Sequence, residues 1–299
     1  MFAIKRLIRT NGLCLWCETF GNENDHTAIL LIQGSGAQGL LWPDQFCKKL
    51  AENRYYVVRY DHRDTGRSSY VNYENDPYTL KDLTEDAKGV LDALALKKAH
   101  IIGSSMGGYI AQLLGIFHPE KVLTLTLMMT SPLSISLEHA FFEDENPFSL
   151  PLPTREFADA LLKIGPLPQT QEGLIRYMLS IWSAYNGKGL AYDKTSWSSL
   201  AQIWLEKSTN LSASYHHRLA VNSSPPSREK ELKNLSIPTL IVHGFLDPFF
   251  AIEHAYALQK IINSSTLLVI EKMGHLFHEA FFEQVANAVI HHLKHRDIS

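Results

Sequence analysis

Mainly apolar stretches of strand length recur along the first 130 residues, separated by segments in which apolar side chains return every three or four positions. Residues 28–33, 56–60, 99–103 and 122–129 are dense enough in apolar side chains to suit strands buried on both faces of a sheet. Between them, residues 43–53 place Pro43 in a first helical turn, and residues 80–96 bring Leu83, Ala87, Val90, Leu91 and Leu94 onto one helical face. Strands alternating with amphipathic helices predict an α/β protein, a parallel sheet joined by crossover helices. Ahead of that alternation, residues 4–9 and 13–20 read as two strands of an antiparallel hairpin, because Asn11-Gly12 suits a turn in which both central residues take positive φ.

The pattern changes after residue 130. From 131 to 235 the chain carries amphipathic, Trp-containing stretches interrupted by Pro147, Pro151, Pro153, Pro166, Pro168, Pro225 and Pro226. Strand and helix then alternate again, with strands at 239–243 and 266–270 and helices at 252–262 and 279–294. The expected organisation is one core domain built from residues 1–130 and 236–299, with 131–235 inserted as a helical lid. No internal repeat or low-complexity segment interrupts it.

Composition narrows the class. A chain of 299 residues with 45% hydrophobic content can bury one large core with an insertion. A net charge of −3 provides no basic field to draw the chain onto nucleic acid. Three cysteines make no disulfide framework and point to a reducing compartment, so a cytoplasmic location is expected. Lys5, Arg6 and Arg9 precede Asn11-Gly12 without an apolar run of signal-peptide length. Runs such as 28–32 and 266–270 fall far short of the ~20 residues a membrane helix needs, so a soluble chain is expected.

The strongest chemical signal is Gly103-Ser104-Ser105-Met106-Gly107, a Gly-x-Ser-x-Gly between a predicted strand and a predicted helix. A serine at the tip of so sharp a turn needs small residues two positions to either side, and Gly103 and Gly107 occupy them. That spacing selects Ser105 over Ser104 as the nucleophile. The helix that follows favours negative charge developing at its N-terminus.

A serine hydroxyl needs a base, and the base needs an orienting acid. Asp247 follows the strand at 239–243, and His275 follows the strand ending near 270, giving the chain order Ser, Asp, His. Of the 14 histidines, His275 sits directly after the appropriate strand with Gly274 before it as a flexible neighbour, and His278 is its main competitor. An oxyanion hole requires one backbone N–H after the nucleophile and another from the loop after an early strand. Met106 supplies the first, and Ser35, in Gln33-Gly34-Ser35-Gly36, is expected to supply the second.

These residues resemble the α/β-hydrolase superfamily over nearly the whole chain outside the lid. Trp42-Pro43-Asp44-Gln45-Phe46 and Arg59-Tyr60-Asp61-His62-Arg63-Asp64-Thr65-Gly66-Arg67-Ser68 are similar to the aclacinomycin methylesterase-like esterases. That resemblance implies methyl-ester removal through an acyl-enzyme, without a cofactor, using Ser105, Asp247 and His275 as triad with Ser35 and Met106 as oxyanion donors. Many relatives have His-Gly at the oxyanion turn where this chain has Gln33-Gly34, a change in the polarity behind a backbone hole. The lid residues have no clear match, so a polyketide substrate is not implied. The expected function is cleavage of a carboxylic ester, of methyl or another small alcohol.

Other reactions share such a triad: thioester hydrolysis, lactone opening, acyl transfer, perhydrolysis and carbon–carbon cleavage. The last usually has an aromatic residue after the histidine, where this chain has Leu276. Epoxide hydrolases and haloalkane dehalogenases need aspartate in place of Ser105. A ligand-binding receptor on the same fold is the alternative outside enzymology. The resemblance implies that the charged run from Asp61 to Arg67 is a structural turn packed near the oxyanion strand. Cys14 and Cys17 have no second cysteine pair to complete a zinc site and fall on opposite faces of a strand. His291 and His295 lack the glutamate after the first histidine that a zinc-binding helix would carry, and no metal is expected. The acidic run 143–145 is expected to face solvent. Trp182, Trp197 and Trp204 fit either the substrate pocket or the packing of the lid itself.

Overall fold

The computed structural model describes residues 3–24, 27–142 and 146–294. The acidic run 143–145 and His295 therefore lie outside the described residues. The chain opens with β1 (Ile4–Thr10) and β2 (Leu13–Phe20), paired antiparallel with Thr10 opposite Leu13. Asn11 and Gly12 between them have φ of 50° and 75°, so the two-residue turn carries the strand twist the hairpin needs.

The alternation follows as β3 (Thr27–Ile32), α1 (Asp44–Glu52), β4 (Tyr55–Tyr60), α2 (Leu80–Ala93), β5 (Ala99–Ser104), α3 (Met106–Phe117) and β6 (Val122–Met128). After a helical stretch it resumes with β7 (Thr239–Gly244), α10 (Glu253–Ile261), β8 (Ser265–Ile270) and α11 (Phe282–Lys294). Pro43 stands just outside α1, at its N-cap, where its missing N–H costs no helical bond. A 3₁₀ turn at Glu279–Phe281 takes the start expected for the last helix. The helical stretch itself holds α4 (Leu137–Phe142), α5 (Arg155–Leu162), α6 (Gln171–Asn186), α7 (Lys194–Lys207), α8 (His216–Asn222) and α9 (Glu229–Leu232).

The eight strands form one sheet in the order β1-β2-β4-β3-β5-β6-β7-β8, parallel from β4 through β8. The apolar strands serve both faces. Along β3, Leu30 and Ile32 join the cluster holding α2, α3 and α10, whereas Ile29 and Leu31 join the one holding α1 and α11. The α2 face expected from spacing is the buried one, with Leu83, Ala87, Val90 and Leu91 fully covered and Leu94 at its margin.

Strand order reverses at β3, whose neighbours β4 and β5 lie on opposite sides. Crevices at the carboxyl ends of strands beside such a reversal are where open α/β sheets bind ligands. The loops after β3 and β5 both end there.

Buried polar groups fasten the loops around this crevice. Arg59 on β4 binds Glu18, Asp44 and the Trp42 carbonyl, tying β2 and β4 to the start of α1. Lys207 of α7 reaches the same Glu18 at 2.9 Å. Burial works against the Glu18 charge, but Arg59 and Lys207 outweigh it and hold the carboxyl down to about 2. Asp61 accepts the backbone N–H groups of Gly39 and Arg67 at 2.8 and 3.1 Å, and Arg63 holds Asp86 on α2 with two bonds of 2.7 and 2.8 Å. The run from Asp61 to Arg67 is thus a packed turn. Among the described residues no cluster of three or more His, Cys, Asp or Glu could hold a metal, and no helix is long and apolar enough to cross a membrane.

Three fully buried histidines bind the fold in their neutral form. Burial pushes His62 and His254 down to about 4 and His217 down to about 3. An unfolded imidazole protonates near 6.5, so these sites contribute their full stability above that pH and lose it as the pH falls toward 4. The thermal midpoint should therefore drop between pH 6.5 and 4, with these rings contributing an uptake of about three protons on unfolding near pH 5. Calorimetry across that range tests this, and a flat midpoint would show that the fold tolerates these rings charged.

Candidate active site

Ser105 occupies the single-residue junction between β5 and α3, with φ of 55° and ψ of −121°. A side chain in that region is strained, and the surroundings enforce it. The Ser105 N–H reaches the Met128 carbonyl at 2.9 Å, continuing the sheet, while its own carbonyl accepts Gly108 N–H and the Thr130 hydroxyl, each at 2.8 Å. The strand and helix converge so closely that a Cβ on Gly103 would lie 2.1 Å from the Gly107 carbonyl oxygen. One on Gly107 would lie 2.2 Å from that of Ile32.

The sequence-selected histidine and aspartate meet this serine. His275 Nε2 lies 3.0 Å from Ser105 Oγ, and His275 Nδ1 lies 2.7 Å from Asp247 Oδ2. With Nδ1–H donating to the carboxylate, Nε2 presents a lone pair to the serine hydroxyl. The other Asp247 oxygen accepts the backbone N–H groups of Phe249 and Phe250, both at 2.8 Å. Burial alone would raise the Asp247 pKa, but His275 beside it, with help from His243 and the Phe250 N–H, holds it below the ordinary carboxylate value.

Helix α6 fixes the histidine loop. The His275 N–H donates to the Tyr185 carbonyl at 2.8 Å, and the rings of Tyr185, Phe249 and Phe250 stand 5.4, 5.1 and 5.5 Å from the imidazole. Gly274 acts here by size: a Cβ on it would sit 2.2 Å from the Asn186 carbonyl oxygen. The flexibility expected of it is not what the position uses. His278, the competing histidine, accepts Ala280 N–H at 3.1 Å and caps the 3₁₀ turn. Tyr185 and the Phe249-Phe250 pair were not legible as site residues, since nothing in sequence spacing marks a ring that packs across from another element.

The turn after β3 overhangs the serine, with a Cβ on Gly34 only 3.1 Å from that of Ser105. Ser35 and Met106 both face the same cavity as Ser105 and His275. Among the described residues, neither of their backbone N–H groups has an acceptor. The cavity holds about 560 Å³ and is walled largely by apolar and aromatic side chains, among them Tyr109, Met178, Trp182, Trp204, Phe249 and Leu276. Trp182 and Trp204 thus line it, whereas Trp197 packs behind them against Trp182 and Tyr192. The side chains can support proton transfer from a hydroxyl within a largely apolar pocket.

Comparison with known proteins agrees with this geometry. Residues 27–281 match the alpha/beta hydrolase fold family. The chain is 33% identical to a rhodomycin D methylesterase of Streptomyces sp. strain C5, covering 97% of this chain and 98% of the relative. It is 32% identical to the rhodomycin D methylesterase of Streptomyces peucetius over the same shares. Among solved structures, an esterase from Exiguobacterium antarcticum superposes with a TM-score of 0.75 at 20% identity, covering 96% of this chain and 98% of that one.

Replacing Gly103 or Gly107 by alanine should destabilise the chain by at least about 1–3 kcal/mol, because only backbone could move out of the way. Urea unfolding measures it. A wild-type midpoint in either variant would mean the junction is looser than its geometry states.

Proposed function

The chain belongs to the α/β-hydrolase fold family and is a carboxylic ester hydrolase, and we propose that Ser105 is its nucleophile, His275 its base and Asp247 the acid that orients the base. The observation that carries this assignment is the unbroken line from Asp247 Oδ2 through His275 to Ser105 Oγ, at 2.7 and 3.0 Å. As Ser105 Oγ attacks the ester carbonyl, its proton passes to His275 Nε2. The carbonyl oxygen becomes an oxyanion and turns toward the N–H groups of Ser35 and Met106. Collapse of the tetrahedral intermediate breaks the bond to the alcohol oxygen, which takes the proton back from His275. Water, activated by the same histidine, then releases the acid from Ser105. Each oxyanion donor contributes ~3–4 kcal/mol in such a site.

The methylesterase names of the two relatives support an ester of a small alcohol, methyl first among them. Residues 131–235 act as the lid: α6 and α7 supply Met178, Trp182 and Trp204 to the cavity wall, so this segment sets which acyl group fits. The triad chemistry calls for no metal or cofactor.

A fluorophosphonate probe should label Ser105 alone, and Ser105→Ala should abolish turnover of p-nitrophenyl acetate. Asp247→Asn should cost up to ~10⁴ in turnover by removing the partner that selects the tautomer. His275→Ala should cost as much, and His278→Ala little. An adduct on Ser104, or a greater loss from His278→Ala than from His275→Ala, would overturn the assignment. A panel of methyl, short-acyl and long-acyl esters then ranks the substrates.

A further inference from the structure

The turn between β3 and α1 is flexible by composition yet held in one conformation. Gly34 and Gly36 flank Ser35, and Gly36 has a φ of 68°, so the glycines themselves leave open where Ser35 points, and the Gln33 side chain ties down only the near end. Two buried histidines add constraints from outside the turn. His62 Nε2 lies 2.9 Å from the Gln33 carbonyl, which can only accept, so the ring's hydrogen is on Nε2. The Gly36 N–H donates to His217 Nδ1 at 2.9 Å, and His217 Nε2 donates to the Arg63 carbonyl at 2.8 Å. His217 can make both bonds only as the neutral tautomer with its hydrogen on Nε2. The two rings have no more than trace exposure and meet edge to face with centroids 5.4 Å apart.

The hydrogen bonds of the turn are then nearly all spoken for. Gly34 N–H donates to the Gln33 side chain at 2.9 Å, Gly36 N–H to His217, and Ala37 N–H to the Gly34 carbonyl at 3.2 Å. Among the described residues of this turn, the N–H of Ser35 alone is left without an acceptor, in the wall of the cavity beside Ser105.

We propose that His217, delivered by α8 from the helical stretch between β6 and β7, is a positioning residue that fixes the Gly34–Gly36 turn and so aims the Ser35 N–H at the developing oxyanion. This rests on the reading of Ser105 as nucleophile and Ser35 as donor given above. The clamp reaches the turn's far end, Gly36, while His62 secures its near end through Gln33. Burial keeps both rings neutral far below physiological pH, which is the state these bonds require. Losing the acceptor would free the turn to rotate. A displacement of the donor by a fraction of an ångström to an ångström weakens an interaction that matters most in the transition state.

The test uses the full chain with Ser105→Ala, His217→Gln, His217→Phe and His217→Met, each rate expressed per folded molecule by circular dichroism and gel filtration. Two quantities are read: kcat/KM for p-nitrophenyl butyrate, and the inhibition constant of 1,1,1-trifluoro-4-phenyl-2-butanone, whose serine adduct places an oxyanion in the hole. His217→Gln retains an acceptor and a donor and should stay within about fivefold of wild type. His217→Phe should lose about 10- to 100-fold in kcat/KM, with the ketone weakened by the same factor. Methionine adapts to the same space without an acceptor and should repeat that loss if the phenylalanine variant does not fold.

A purely structural role would lower the folded fraction and leave ketone binding per folded molecule unchanged, and that result overturns the proposal. So does wild-type turnover in a folded Phe or Met variant, or a hundredfold loss in a folded Gln variant. If Ser105→Ala itself keeps turnover, the nucleophile assignment fails. If Ser105→Ala is inactive while the His217 variants match wild type, only the clamp is lost.

Discussion

Three backbones meet at van der Waals distance beneath the cavity, and the remaining geometry depends on that meeting. β5 ends at Ser104, α3 begins at Met106, and the carbonyl of Ile32 at the end of β3 presses on Gly107. No side chain fits between them, so Ser105 is forced into its unusual φ and stands clear of the sheet. The cost of that strain is offset by the sheet's continuing hydrogen bonds, with the Ser105 N–H still paired to Met128 and its carbonyl to Thr130. A looser junction would let the serine relax into the helix and point its hydroxyl elsewhere.

Around this rigid centre, the chain uses buried polar bonds to locate parts that the sheet does not reach. Asp61 anchors Gly39, Arg59 gathers Glu18, Asp44 and the Trp42 carbonyl, and Gln38 donates to the Trp204 carbonyl at 3.1 Å and the Ser208 hydroxyl at 2.6 Å. The last of these, with Lys207 on Glu18, joins α7 to β2 and to the loop after β3. Such contacts are specific in direction where apolar packing is not, and an unpaired partner would be costly to bury. Trp204 on the cavity wall is therefore held in place through hydrogen bonds as well as apolar packing.

Histidines meet two different settings within one small region. His62, His217 and His254 are kept neutral by burial and act as fixed donors and acceptors. His275 stands instead between the Asp247 carboxylate, held ionised, and the Ser105 hydroxyl.

The amino-acid sequence by itself determined the α/β alternation, the opening hairpin at Asn11-Gly12, and the set Ser105, Asp247 and His275 that the fold brings together. Each of these is local: a period of apolar residues, a turn dipeptide, a glycine spacing, or a position just after a strand. Tertiary structure decided the strand order, the joining of Tyr185 and Phe249 to the histidine, the use of Gly274 for close approach, and the division of Trp182, Trp197 and Trp204 between cavity and packing. It also decided that His217, 181 residues from Gly36, holds the turn that presents Ser35. Contacts between segments so far apart carry no periodic or spacing signal, because they depend on where the sheet and helices place two backbones, and that is settled only when the whole core packs.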